Sequence, residues 1–110
     1  MDITTEIPYN LVMVSSRDFD WDDGKAASNL AKHGVPFPYA TRVFQDAGMI
    51  DIDASRAGDD EVRKKAIGVI EWRIFAVVFT EREGATRIIS ARRCNAKEAR
   101  LYGEVQARPR

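Results

Sequence analysis

The run Ile74-Phe75-Ala76-Val77-Val78-Phe79-Thr80 constrains this chain more than any other feature of its sequence. Side chains alternate between the two faces of a strand, so a strand apolar on both needs cover on both, as a central strand has. A second β-rich run, Ala66 to Ile70, precedes it across Glu71-Trp72-Arg73, and a third, Thr86 to Arg92, follows Glu83-Gly84, a dipeptide suited to a hairpin turn. Short connections join antiparallel neighbours. These runs are expected to form the core of a mainly antiparallel sheet, with the rest of the chain as its cover.

The cover reads as helical. Phe19-Asp20-Trp21 resembles a short strand, after which Asp20 or Asp22 caps a helix through Lys32 with Ala27, Leu30 and Ala31 at helical spacing. Gly34 closes that helix, and Lys32 and His33 sit where a helix C-terminus favours cations. Val35-Pro36-Phe37-Pro38 forms a rigid elbow into a second short helix with Phe37, Ala40 and Phe44 on one face. Met49 to Ile52 reads as a strand and Asp53 to Asp60 as an exposed acidic loop. Asn95 and Glu98 have the spacing of a capping box, opening a last helix that packs through Ala99, Tyr102 and Val105. The expectation is an α+β fold: two N-terminal helices, a three- to four-stranded, mainly antiparallel sheet, and a C-terminal helix. Residues 1–16 show no period and read as a mobile extension or a weak extra strand, leaving 17–110 as a single domain.

With 110 residues, 45% of them hydrophobic, the chain has material for one modest core, and a partner that binds the native state would add to its stability. The 17 basic and 17 acidic residues cancel, but unevenly: Asp18 to Glu61 holds ten acidic against four basic, and Arg82 to Arg110 eight basic against three acidic. Such segregation suits a basic surface that meets phosphates, and also a solvated charged helix. The lone Cys94 excludes an internal disulfide and fits a reducing cytosol. Asp2 and Glu6 stand where a signal peptide needs positive charge, and the run Leu11 to Val14 is too short to span a membrane, so a cytoplasmic protein without membrane contact is expected.

General catalytic signatures are missing. One His and one Cys do not make a tetrahedral zinc site, and there is no Walker loop, GxGxxG or GxSxG. The carboxylates Asp20, Asp22, Asp23, Asp51 and Asp53 fit capping and solvation better than Mg²⁺ ligation, so neither metal nor cofactor is expected.

Longer patterns are more telling. Phe19-Asp20-Trp21-Asp22, Lys25, Asn29 and Lys32-His33-Gly34-Val35-Pro36-Phe37 are followed in order by Val43-Phe44 with Asp46, and by Arg63 before Ile67-Gly68. Then come Val77-Val78-Phe79-Thr80-Glu81-Arg82 and Arg87-Ile88-Ile89-Ser90-Ala91-Arg92-Arg93 with Glu98 and Tyr102. This series, over roughly Arg17 to Gly103, resembles the BrnT family of toxins. The chain departs from that pattern at Cys94-Asn95, where a small residue and Thr or Ser are common, and at Lys64-Lys65, where an aromatic residue often stands. The resemblance implies a RelE-like fold and a ribosome-independent ribonuclease that inhibits translation. It also implies a cognate antitoxin, BrnA, which neutralises the toxin in a hetero-oligomer and carries the contact with operator DNA.

Metal-free RNA cleavage uses the ribose 2′-hydroxyl as nucleophile, so a proton must be taken from it, charge on the phosphate stabilised and the leaving oxygen protonated. Arg92 and Arg93 end one strand, Arg63 precedes another and Arg82 follows a third; strand ends on one side of the sheet would converge their guanidinium forks on a phosphate. Adjacent Arg92 and Arg93 should nevertheless face opposite ways unless a bulge intervenes, and either can instead pair with Glu81 or Glu98. His33 is the simplest general acid or base, with a capping role as the alternative, and Glu81 is a second candidate base. Lys32, Arg82 and Tyr102 are candidate RNA contacts, against decoration of a helix end, an ion pair and ring packing respectively. Trp21 and Trp72 are large enough to anchor the core, while Trp72, beside a turn, would also serve as an exposed stacking platform. Cys94 has no base placed near it in the sequence and is not a candidate nucleophile. The alternative to a ribonuclease is a module that binds nucleic acid or the antitoxin without cutting RNA.

Overall fold

A computed structural model describes residues 17–109; the expectation about residues 1–16 lies outside the described residues. The elements are β1 (Asp18–Trp21), α1 (Asp23–His33), α2 (Phe37–Ala40) running into a 3₁₀ turn (Thr41–Gln45), β2 (Ile50–Asp53), β3 (Lys64–Ile70), β4 (Arg73–Arg82), β5 (Ala85–Arg93) and α3 (Ala96–Gln106). The strands form one sheet in the order β1-β5-β4-β3-β2, so the apolar run lies on the middle strand. The architecture is α+β with five strands rather than three or four, because Asp18–Trp21 and Ile50–Asp53 both join the sheet as its edges. β1 pairs parallel to β5 and the other ladders are antiparallel.

Cross-strand partners share a face, so Phe75, Val77 and Phe79 of β4 look the same way as Ala66 and Gly68 of β3 and Ala91 and Ile88 of β5. This face takes the first helical layer: Val35, Phe37, Ala40 and Val43 are buried with those residues, and Phe44 meets Phe79 edge-on at 5.1 Å. Full burial of a side chain as large as Phe37, Phe79 or Ile88 is worth roughly 1.5–3 kcal/mol, more than an exposed ion pair contributes. Gly68 lets the 3₁₀ turn lie directly on the sheet, since a Cβ there would stand 3.0 Å from the Val43 carbonyl oxygen. The second face is served by α3.

Local signals largely hold. Asp22 caps α1 by accepting the Lys25 amide, Gly34 ends it at φ 72°, and Asn95 and Glu98 form a reciprocal capping box at α3. The inward face of α1 differs from the one predicted. Ala27, Leu30 and Ala31 are exposed, and Ala26 and Asn29 turn toward the sheet instead. A polar residue wins this position because β1 stops pairing at Ile88, leaving the backbone of β5 beyond it in need of partners. Asn29 supplies them: its Oδ1 accepts the Ala91 amide at 3.1 Å, and its Nδ2 donates to the carbonyls of Ala91 at 2.8 Å and Val35 at 3.2 Å.

Removing this amide strands buried backbone groups, each costing about 1–3 kcal/mol when unsatisfied. Asn29→Ala should therefore lower stability by about 2–3 kcal/mol, read as an earlier urea midpoint with an unchanged slope. A loss below about 0.5 kcal/mol, the range of ordinary surface changes, would show that the β5 edge does not depend on Asn29.

Candidate phosphate-binding cleft

The sheet register separates the arginines that were expected to converge. β3 begins where β4 ends, which places Arg63 and Arg82 at one end of the sheet; β5 runs back along β4 and ends opposite Phe75, which places Arg92 and Arg93 at the other. The strand ends were read as sharing one side, but antiparallel pairing puts the end of β5 beside the start of β4. At the first end the charges are paired locally. Arg82 donates to Glu61 at 2.9 Å rather than to Glu81, Glu81 takes Arg17 at 3.3 Å, and Arg63 lies 4.0 Å from Asp59.

At the second end the two neighbouring arginines part. Arg92 and Arg93 face opposite ways because the irregularity in the β4–β5 ladder falls at Val78/Phe79, several residues away. Arg92 turns to α3 and makes a two-pronged pair with Glu98 at 2.7 and 2.8 Å; Lys65 adds a contact at 2.6 Å, and the Asn95 amide donates at 3.0 Å. These donors hold the buried Glu98 carboxyl down at about 2, against the opposing effect of burial. Arg92 is thereby committed to the capping box of α3. Tyr102 is held in the same layer, its hydroxyl donating to Asp46 at 2.6 Å, with burial first and this bond second pushing its pKa up to about 12.

Arg93 turns to the face that carries α1 and α2, where it lines a cavity of about 310 Å³ with His33, Gly34, Val35, Pro36, Tyr39, Arg73 and Phe75. Each lining side chain is placed by a local cause. Gly34 ends α1 and leaves His33 in its last turn; the Pro36 elbow brings Tyr39 edge-on to Phe75 at 5.7 Å; Arg73 is two residues from Phe75 on the same face of β4. His33 and Arg93 thus meet as expected candidates, while Lys32, one residue before His33, is exposed and does not line the cavity. Arg73 and Tyr39 are functional candidates that the sequence reading passed over.

Charge sets this cleft apart. The three other clefts described, including the largest at about 530 Å³ beneath α3, each include carboxylates among their lining residues. The His33 cleft includes none, and among the described residues neither Arg73 nor Arg93 has a carboxylate within ion-pair distance. Two guanidinium forks in one cleft with an imidazole make it the candidate anion site, since their planar donors suit phosphate oxygens.

The turn between β3 and β4 forms the rim. Glu71 and Trp72 are its two residues, both at positive φ (50° and 63°), a conformation costing side chains roughly 1–2 kcal/mol per residue. Glu71 is tied down, accepting the Tyr39 hydroxyl at 3.0 Å and lying 3.9 Å from Arg42, whose guanidinium covers the Tyr39 ring at 5.3 Å. Burial and this bond raise the Tyr39 pKa. Trp72 is 83% exposed, whereas Trp21 packs edge-on against Phe37 at 5.9 Å. Cys94 lies outside the cleft, and burial pushes its thiol up to about 11, so it stays protonated. No three His, Cys, Asp or Glu side chains among the described residues are grouped to hold a metal ion, and no described helix is long and apolar enough to cross a membrane.

The described residues form a small α+β domain with a cleft lined by two arginines and the histidine and by no carboxylate. Residues 21–98 match the ribonuclease toxin BrnT of type II toxin–antitoxin systems, and the chain belongs to that family. No curated protein matches it.

The Glu98 network carries a pH signature. A carboxyl held at about 2 when folded, against 4.5 ordinarily, contributes stability that is complete above pH 4.5 and lost as pH falls toward 2. Stability should drop by on the order of 2–3 kcal/mol across that window from this group. Glu98→Gln should be less stable at neutral pH and should lack this component, as read by denaturant midpoints at a series of pH values; an unchanged acid profile would contradict the assignment.

Proposed function

We propose that this chain is a metal-independent endoribonuclease toxin that cuts RNA in the His33–Arg73–Arg93 cleft and so inhibits translation in the cytoplasm. The carrying observation is the joining, in one cavity, of the only histidine in the chain and two guanidiniums that have no carboxylate partner among the described residues. Membership of a ribonuclease toxin family supports the reaction class.

In this reading Arg73 and Arg93 hold the nonbridging oxygens of the scissile phosphate and stabilise the charge that builds there. His33 takes the proton of the ribose 2′-hydroxyl as the 2′-oxygen bonds to phosphorus. The bond from phosphorus to the 5′-oxygen breaks, and that oxygen takes a proton from solvent water as it leaves. The products are a 2′,3′-cyclic phosphate and a 5′-hydroxyl end. Tyr39 shapes the cleft wall, its hydroxyl donating to Glu71. Arg92 acts in the fold, through Glu98. Arg63, Glu81, Arg82, Lys32 and Tyr102 lie outside the cleft lining and have no place in this step.

Neutralisation follows from the same charge pattern. A BrnA-like antitoxin that presents carboxylates to the open guanidiniums would close the cleft in a hetero-oligomer, and contact with operator DNA would run through that antitoxin. A complex that leaves Arg73 and Arg93 in solvent would refute this mode of inhibition.

The test is cleavage of single-stranded RNA by the purified chain in EDTA. His33→Ala should lower kcat by on the order of 10²–10⁴-fold, the range for a lost acid–base group. Arg73→Ala and Arg93→Ala should each cost at least about tenfold, the equivalent of one charge-assisted hydrogen bond, while Arg63→Ala and Arg82→Ala stay near wild type. Full activity in His33→Ala would move the chemistry elsewhere. A folded wild type that binds RNA or the antitoxin but does not cut would favour a non-catalytic binding module.

A further inference from the structure

We propose that Trp72 is a stacking platform for an unpaired base of the RNA, next to the phosphate held by Arg73 and Arg93, and that it restricts the substrate to single-stranded RNA. This rests on the ribonuclease reading of the same cleft.

Three observations converge on the hairpin tip. The indole is 83% exposed, the most exposed of the large apolar side chains in solvent among the described residues, so it adds little to the core. It occupies a turn position at φ 63°, which favours glycine, so its presence there works against stability. Its neighbours also fix its place. Glu71 is fastened to Tyr39 on the cleft wall, and Arg73 lines the cleft itself, so the turn holds the indole at the rim rather than on a free loop.

The chemistry of the surroundings selects the ligand. A protein-binding aromatic anchor typically sits within an apolar patch, but Trp72 stands between Glu71 and Arg73. Among the described residues neither other exposed large hydrophobic adjoins the tip: Leu30 is on the outer face of α1, and Val62 precedes β3 at the far end of the sheet. An isolated aromatic beside guanidiniums is the combination that binds single strands, because stacking takes any base while cations track the backbone. In a duplex both faces of a base are already covered, so the platform has nothing to stack.

The experiment uses the full chain with Trp72→Gly and Trp72→Phe. Binding is measured with an uncleavable 2′-O-methyl oligoribonucleotide, single-stranded or annealed to its complement, and cleavage with the corresponding ribo-oligomer. Trp72→Gly should raise the thermal midpoint, because glycine suits the turn, yet weaken single-strand binding by about tenfold and raise KM more than it lowers kcat. Trp72→Phe should recover most of the affinity, and the duplex should bind weakly to all three proteins. Wild-type affinity in a well-folded Trp72→Gly protein would overturn the proposal, as would failure of Trp72→Phe to recover binding. Intact RNA binding with weakened antitoxin binding would assign the tip to the protein partner and overturn it too. Those outcomes leave the ribonuclease reading standing; a wild type that neither binds nor cuts single-stranded RNA removes both.

Discussion

The amide of Asn29 is the contact on which the rest of the arrangement depends. β1 is too short to accompany β5 along its whole length, and where it stops the backbone of Ala91 would be left without partners on that side. Asn29 continues the edge with a side chain and ties the same strand to Val35 in the elbow after α1. One buried amide thereby ties together the helix, the elbow and the end of β5, whose neighbouring residues His33, Tyr39 and Arg93 line one cavity.

The basic C-terminal half is therefore not a uniform phosphate surface. Its arginines divide according to strand alternation and to which carboxylate lies within reach. Arg92 is neutralised by a buried glutamate that also caps a helix, Arg82 and Arg87 are paired with Glu61 and Asp20, and Arg93 is left to the cleft. Arg73, from outside that half, completes it. In the proposed reading, an acidic antitoxin segment and an RNA phosphate would compete for the same two forks.

Much of this was legible in the sequence where the signal was local. The apolar run predicted the middle strand, Asn95 and Glu98 the capping box, Gly34 the end of α1, and the Lys-His-Gly-Val and Ile-Ile-Ser-Ala-Arg-Arg segments the family. The losses were long-range. Nothing near Asp18–Trp21 says that it pairs in parallel with the last strand, and the apolar letters of α1 pointed to Leu30 when the buried position was the polar Asn29. The site suffered most, because convergence of strand ends is a matter of pairing direction. The sequence could name His33 and Arg93 as candidates; that Arg73 and Tyr39 line the same cleft is visible only once the register is known.

The central claim is that phosphate is bound at the His33 end of the sheet and nowhere else along its basic face. The most direct measurement is an NMR titration that follows the arginine side-chain Nε–H and histidine ring signals as an uncleavable single-stranded oligoribonucleotide is added. The expected result is large, saturable shifts at Arg73, Arg93 and His33, with Arg63, Arg82 and Arg92 still. Saturable shifts centred on Arg63 and Arg82, with the His33 cleft unmoved, would contradict the account.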